Sequence, residues 1–335
     1  IKNFTGFLNG CAQKVNYVWN YCNDVQKQAV KTHRHWLSKF DLGHLTAGSS
    51  KILELNSHTI RGVCVEYATR RAGSKKPWLK WRSKKKSLGW IPVTTLNLTH
   101  NINTYTFTFM GREFRVYGDR PLPGKICYDS NFSRDSRGRW FLNVVTEVEE
   151  CPLRPGNKSV GIDLGLKDFA TLSNGMKLSG PKATSKYARK LAVAQRANHA
   201  AQAKKIHQKI KDIRKDFHHK ESTKIIKQFN NVAVGDVSPS KLSKTNLAKS
   251  VNDAGWSSFR SMLRYKAIRF GATFKEVTEK YSTQTCHICG VISGPKGLAG
   301  LNKREWTCSD GCGATHDRDV NAAYNILAVS DMIPL

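Results

Sequence analysis

Acidic side chains are scarce in this sequence: 25 Asp and Glu face 55 Lys and Arg, a formal net charge of +30 over 335 residues. Such an imbalance points to a polyanion partner, nucleic acid first and anionic membrane second. Long apolar runs are missing too. No stretch approaches the roughly 20 residues that span a bilayer, and no leader-like segment precedes the first helical pattern, so no membrane partner is expected. The chain opens at Ile1 without a methionine, as a chain lacking a short N-terminal piece does. Cysteine is sparse, at 9 residues. Five of them (Cys11, Cys22, Cys64, Cys127 and Cys151) follow no spacing rule and read as reduced, partly buried residues of a reducing cytoplasm.

The other four cysteines form two hooks, Cys286-His287-Ile288-Cys289 and Cys308-Ser309-Asp310-Gly311-Cys312, separated by 18 residues. A two-residue gap lets a turn present both sulfurs to one tetrahedral ion, and a distant second hook closes the shell. The second hook has three intervening residues, an extension that Gly311 accommodates. Paired disulfides are the alternative; structural zinc on Cys286, Cys289, Cys308 and Cys312 is the preferred reading. Four thiolates leave no open position, so this ion holds structure and does not catalyse.

The length supports two or three domains. Residues 5 to about 72 carry helical periodicity, with Phe7, Leu8, Cys11, Val15, Val18, Trp19 and Cys22 on one face and a second helix over Ser57–Arg71. Next comes 75–86, where Lys75, Lys76, Lys80, Arg82, Lys84, Lys85 and Lys86 alternate with Trp78 and Trp81. Cations suit phosphates and indoles suit bases or sugars, so this run is the candidate nucleic-acid contact; a solvated loop is the bland alternative. From Trp90 to Val148 short strands of period two predominate, such as Thr104–Phe109, with a hairpin turn at Asp135-Ser136-Arg137-Gly138. They predict a small antiparallel, barrel-like domain. Residues 158–335 then alternate strand and helix: a strand at 159–165, a basic helical stretch from Tyr187 to Phe229, a buried strand at 232–237, a helix at 257–270, a strand at 273–279 and a last helix at 321–328. That order predicts parallel neighbours.

Asp163 ends an apolar strand and Asp319 opens a helix. In a basic chain such acids suggest metal-dependent phosphodiester chemistry, because hard cations take oxygen ligands and phosphate charge must be neutralised. A phosphate-binding turn of an actin-like ATPase is the rival for Gly161-Ile162-Asp163-Leu164-Gly165, but it explains neither the cysteine insert nor the charge. Val160–Lys167, Tyr281–Gly290 and Asp317-Arg318-Asp319-Val320-Asn321-Ala322-Ala323 together resemble the signatures of the TnpB family, transposon-encoded RNA-guided nucleases similar to type V CRISPR effectors. The resemblance covers essentially the whole chain. It implies an all-α recognition lobe over 1–90, a small all-β wedge barrel over 91–152, and an α/β RNase H-like RuvC domain over 153–335 with a zinc ribbon inserted at 284–314. It also implies a guide RNA, a double-stranded DNA target with a short flanking motif, two Mg²⁺ ions at the nuclease site, and a bacterial, cytoplasmic, nucleoid-associated protein acting as monomer or homodimer.

Carried over by position, Asp163 and Asp319 match the first and last catalytic acids, and Asp317 fits a helix cap better than a ligand. The middle acid departs from the pattern. The family's second signature ends a strand with Glu-Asp-Leu; here the strand reads Val234-Gly235-Asp236-Val237, with Gly235 where the Glu belongs. Three readings stay open. Asp236 substitutes, although a one-residue step along a strand reverses the face. The site is dead, leaving an RNA-guided DNA binder or repressor. Or the acid is relocated to the neighbouring strand about 4.8 Å away, with Glu279 ahead of Glu276. The relocated arrangement is preferred and makes Asp163, Glu279 and Asp319 the predicted magnesium ligands. A transposon strand transferase ranks last, since no nicking-enzyme Tyr or His pair stands out.

Overall fold

The computed structural model describes residues 4–33, 35–83, 87, 89–117, 122–238, 248–296, 300 and 303–332. Lys84, Lys85 and Lys86 lie outside them. The chain divides into two compact units, Ile1–Glu149 and Glu150–Leu335.

The first unit begins with helices α1 (Thr5–His33), α2 (Lys39–Leu45), α3 (Ser49–Leu53) and α4 (Ser57–Ser74). The apolar stripe read from the sequence packs as expected: Leu8, Val15, Val18, Trp19 and Cys22 of α1 bury against Ile60, Val63, Cys64 and Tyr67 of α4. The region between them, read as one helical stretch, breaks into short helices. Ser38 caps α2 with a reciprocal Asp41 bond, and Gly48 adopts a positive φ of 77° before α3. Short strands follow: β1 (Trp90–Pro92), β2 (Thr99–Asn101), β3 (Thr104–Phe109), β4 (Arg112–Tyr117), β5 (Lys125–Ile126), β6 (Asn131–Arg134), β7 (Trp140–Asn143) and β8 (Thr146–Glu147). They pair antiparallel in three small sheets, β1-β6-β7, β2-β3-β4 and β5-β8. Tyr105, Phe107 and Phe109 alternate inward along β3, and Phe107 stacks on Phe114 at 5.3 Å. Helices and strands of this unit share one apolar core.

The second unit is built on a five-stranded sheet, order β11-β10-β9-β12-β13, from β9 (Ser159–Leu164), β10 (Ala170–Leu172), β11 (Lys177–Leu178), β12 (Asn231–Gly235) and β13 (Thr273–Val277). The three strands β9, β12 and β13 are parallel neighbours, as the alternation predicted. Between β11 and β12 runs a helical hairpin, α5 (Ala183–Arg196) and α6 (Ala200–Gln228). Helices α7 (Ala248–Ala254) and α8 (Trp256–Phe270) lead into β13, and the strand pair β14 (Glu305–Thr307) and β15 (Thr315–Asp317) leads into α9 (Arg318–Val329).

The sheet is covered on both faces. Val160, Ile162, Val232 and Val234 pack with residues of α6 and α8, while Ala233 and Val277 meet Ile326 and Leu327 of α9. Gly161 lies on the α9 face, where a Cβ would stand 1.9 Å from the Ala323 carbonyl oxygen. Only glycine lets α9 come this close to β9. Among the described residues, no helix is long and apolar enough to cross a membrane.

Candidate metal centre and nucleic-acid groove

Side chains alternate across a strand, so Asp163, two residues beyond Gly161, shares the α9 face. In the parallel register Val234 stands beside Ile162 and Glu276, and Gly235 beside Val277. Gly235 therefore opens toward α9. A Cβ built there would meet the Glu279 Oε2 at 3.1 Å, the Ile326 Cδ1 at 3.2 Å and the Glu279 Cβ at 3.4 Å. Strand β13 ends at Val277, and Glu279 follows in the turn with its carboxylate over the glycine. Its backbone N–H donates to the Asp236 Oδ1 at 3.3 Å, while Asp236 itself is exposed. Glu276 takes the other face and pairs with Arg264 of α8 at 2.6 Å.

The electrostatics bind these acids into one group. Burial, with the charges of Asp319 and Glu279 adding to it against the pull of Arg318, pushes Asp163 up to about 7. Glu279 is likewise raised, by burial first and then by Asp236, against Arg260. Asp319 lies in the first turn of α9 and meets Arg304 Nη1 at 3.2 Å. Asp317 caps that helix, its Oδ1 accepting the N–H groups of Asp319 and Val320 at 3.0 Å each. Burial works to raise its pKa, but the Lys177 ammonium at 2.5 Å and those N–H groups hold it below the ordinary carboxylate range. Excess negative charge at Asp163 and Glu279 is a condition that a divalent cation relieves.

The cysteines converge more tightly. The four sulfurs of Cys286, Cys289, Cys308 and Cys312 lie within 4.8 Å of one another, with Cys286–Cys312 and Cys289–Cys308 at 3.6 Å each. A tetrahedron of thiolates about 2.3 Å from its ion has an edge of about 3.8 Å, so the cluster fits such an ion. Gly311 is needed for the longer hook: a Cβ there would lie 2.8 Å from the Cys289 sulfur and 2.9 Å from that of Cys308. The carboxylates do not close into a comparable single-ion cluster among the described residues.

Sequence reasoning missed the groups that join the two centres. His316 is buried with its Nε2 3.1 Å from the Cys286 sulfur. Asn321 of α9, 1% exposed, accepts from the His287 N–H at 3.0 Å and donates to the carbonyls of Thr285 at 2.8 Å and Ser282 at 3.2 Å. Asn325, one turn on, donates to the same two carbonyls at 2.7 Å each. The loop from Glu279 to the first hook is thus stitched to the helix that carries Asp319. The spacing Asp319-x-Asn321-x-x-x-Asn325 was the available signal, since residues four apart share a helix face.

In the first unit, the basic segment is held extended along α1. Asn23 exchanges hydrogen bonds with the backbone of Leu79 at 2.8 and 3.0 Å, and Asn20 with that of Arg82 at 2.8 Å in both directions. Trp19 Nε1 donates to the Lys80 carbonyl at 3.3 Å. Trp78 and Trp81 remain exposed, and with Lys76 and Lys80 they border an open groove of about 800 Å³. Lys75 is exposed beside it. Arg82 differs from its neighbours: its guanidinium lies 3.7 Å from the Trp19 ring centre and 5.3 Å from that of Trp90. Burial lowers its pKa to about 10, so it stays charged but packs as an internal cation–π partner.

A mixed α/β protein with carboxylates at the carboxyl ends of parallel strands and a four-cysteine ribbon ahead of the last acid is a narrow class. A family model described as "Cas12f1-like, TNB domain" matches residues 256–326, and one described as "Probable transposase" matches residues 143–246. A Streptomyces pristinaespiralis protein with the provisional name RNA-guided DNA endonuclease is 34% identical over 319 residues, 91% of this chain and 77% of that protein. InsQ of Escherichia coli K12, under the same provisional name, is 30% identical over 59% of this chain and 56% of its own length. The TnpB-like protein L79 of Acanthamoeba polyphaga mimivirus is 27% identical over 61% of this chain and 42% of its own length. The solved Cas12f1–sgRNA–target DNA complex aligns at a TM-score of 0.42 and 12% identity over 96% of this chain and 94% of that one. The chain belongs to the TnpB family.

Proposed function

We propose that this chain is a guide-RNA-directed, metal-dependent DNA endonuclease whose second unit is an RNase H-like RuvC domain acting through Asp163, Glu279 and Asp319. The observation that carries the reading is the Glu279 carboxylate over the space Gly235 leaves open, where it helps to raise the pKa of Asp163. A solvated strand-end glutamate would do neither. Asp163, Glu279 and Asp319 would hold Mg²⁺, and acids spread more widely than one ion's shell suit a pair of ions. When bound, such ions supply an activated water and stabilise the leaving oxygen of a phosphodiester.

The chain's own groups do the rest. Asp163, its pKa raised to about 7, would give up its proton to serve as a ligand when a cation is bound. Asn321 and Asn325 fix the loop that carries Glu279. The cysteine ribbon, with zinc as its proposed ion, holds structure, all four positions being filled by sulfur. The groove bordered by Trp78, Lys80 and Trp81 offers stacking faces and ammonium groups to a nucleic-acid strand. Sequence would be read by guide pairing, with the protein recognising duplex shape and a short flanking motif.

Incubation of the purified ribonucleoprotein with a target plasmid and Mg²⁺ tests the reading. Cleavage that Glu279→Ala abolishes is the expected result; full cleavage by Glu279→Ala overturns the assignment. A second reading, guided binding without cleavage, is favoured by the Arg304–Asp319 contact, which already neutralises one acid. Tight target binding with no cutting by the intact protein, and binding that survives Asp163→Ala and Asp319→Ala, would establish it.

A further inference from the structure

Lys177 opens the edge strand β11, and its ammonium pairs with the Asp317 Oδ2 at 2.5 Å. The partners lie 140 residues apart in the chain, so only the sheet register shows what the pair joins. Residues directly opposite one another in an antiparallel pair point to the same face. Thr171 of β10 stands opposite both Asp163 of β9 and Lys177 of β11. Asp163, Thr171 and Lys177 therefore form one row across three strands, on the face that α9 covers. Thr171 in the middle is buried, and each step of the row spans about 4.8 Å. A tight turn fixes the start of β11: the Leu172 N–H donates to the Met176 carbonyl at 2.8 Å, and the Met176 N–H to the Asn174 Oδ1 at 3.1 Å.

The other end of the pair is a helix start. Asp317 uses both carboxylate oxygens. Its Oδ1 accepts the N–H groups of Asp319 and Val320, and its Oδ2 takes the Lys177 ammonium. Packing holds α9 to the sheet further along, through Gly161 against Ala323 and through Ile326 and Leu327 beside Ala233. A helix held only there could still swing at its first turn, and that turn carries Asp319. Asn321 and Asn325 tie α9 to a loop and not to the sheet. Among the described residues, Lys177–Asp317 is the only ion pair between the five-stranded sheet and the start of α9.

We infer that Lys177 is a positioning residue of the proposed magnesium site: through Asp317 it fixes where Asp319 stands relative to Asp163, the acid in its own row. The inference rests on the proposed function for the identity of that site. The alternative is that Lys177 only adds positive charge, which reaches Asp319 and Asp168 as well as Asp317. The two roles predict opposite signs. Removing a nearby cation tightens the binding of a divalent ion, whereas removing an anchor weakens it, because the ligands are no longer held in place.

The test measures Mn²⁺ binding by the full chain without guide RNA, read from the free-ion signal in electron paramagnetic resonance. Mn²⁺ takes the same oxygen ligands as Mg²⁺, and the site's own share is the binding that Asp163→Asn removes. Lys177→Met should weaken that share by about tenfold or more, and Lys177→Arg, which keeps the charge and a donor, should recover most of the loss. Asp317→Asn still caps the helix through its amide oxygen but offers Lys177 no charge, so it should match Lys177→Met. The two substitutions together restore the parent's net charge, yet should bind no better than either alone, since one interaction is lost only once. The half-exposed pair contributes about 0–1 kcal/mol, so all these variants should fold. Lys177→Met binding as tightly as the parent or more tightly overturns the inference. So does a double variant that binds like the parent, or Lys177→Arg as impaired as Lys177→Met. A lowered melting temperature with unchanged affinity marks a plain structural pair and overturns it too. If Asp163→Asn removes no binding, the magnesium-site reading fails and the inference falls with it; binding that Asp163→Asn removes and Lys177→Met spares sinks the inference alone.

Discussion

The Glu279 carboxylate oxygen stands 3.1 Å from the point where a Cβ on Gly235 would lie. Absence of one side chain and presence of the other are a single arrangement: the space at the end of β12 is filled from the turn after β13. If the acid has moved between strands while the site stayed, its strand of origin should be exchangeable. Glu279→Ala should reduce plasmid cleavage by more than the ~100-fold typical of losing a metal's outer-shell partner. Gly235→Glu combined with Glu279→Ala should recover part of it. Gly235→Glu alone should do worse than the pair, since its Cβ would press on Ile326 and its charge would meet Glu279. A double variant no better than Glu279→Ala would count against the exchange.

Asp163 predicts a pH dependence with a definite sign. Its folded-state pKa, near 7, lies above the ordinary carboxylate value. The folded protein therefore holds that proton more tightly than the unfolded chain. The resulting stabilisation is fully present below the ordinary carboxylate range and fades as pH rises through about 7. Thermal melts without divalent ions should show the second unit losing stability over that window. Asp163→Asn should flatten the loss and stabilise the ion-free protein by on the order of 1–2 kcal/mol, since each pKa unit is worth about 1.4 kcal/mol and the group is only partly buried. Mg²⁺ affinity, read by calorimetry, should rise with pH over the same window in the parent and not in the variant.

Arg304 should compete with the same ion. It meets Asp319 at 3.2 Å from a partly exposed position, and such pairs contribute about 0–1 kcal/mol. Arg304→Ala is expected to tighten Mg²⁺ binding by up to about fivefold, a gain of about 1 kcal/mol, with little change in melting temperature. Weaker binding would mean that Arg304 orients Asp319 and does not shield it.

The ribbon offers an optical readout. Trp306 is buried with Cys286 and Cys308 in the ribbon's small core. Chelation should expose it and red-shift its emission, a change absent from Trp306→Phe. Four thiols should become reactive at once, because losing one ion frees all four sulfurs. Stepwise release of two pairs would point to disulfide chemistry.

Asn321 is the residue whose loss should join these effects. Asn321→Ala removes side-chain bonds to Ser282, Thr285 and His287 in a buried setting and should cost roughly 2–4 kcal/mol, at about 1 kcal/mol per bond with a penalty for groups left unpaired. Cleavage should fall further than stability accounts for, since the Glu279 loop is loosened. Cleavage intact in the surviving folded fraction would limit Asn321 to a structural role.

Much of this was legible because it depends on spacing. The cysteine hooks needed only a count along the chain. The Asp317 cap followed from a helix start, and the position of Glu279 beside Gly235 followed from the TnpB resemblance, which places an acid where Gly235 stands, together with the expectation of a parallel neighbour. Contacts between distant segments were not legible. Nothing in the local pattern tells Arg82 from the other cations of its run, yet Trp19 and Trp90 enclose its guanidinium. Nor does the sequence announce that Asn20 and Asn23 anchor the backbone of Leu79 and Arg82. The helix breaks at Ser38 and Gly48 depend on local caps that an apolar stripe cannot resolve. Glu276 and Glu279 looked alike until the register put one against Arg264 and the other over Gly235.

The close approach of Gly161 to Ala323 joins the first strand of the sheet to its last described helix, and Asp319 is carried by that helix. During translation the Trp78–Trp81 groove and Asp163 both leave the ribosome well before residue 319. The surface proposed to meet nucleic acid is therefore synthesised long before the acids on which cutting is proposed to depend can assemble. Synthesis order alone would keep the unfinished protein a binder, and only docking of α9 would arm it.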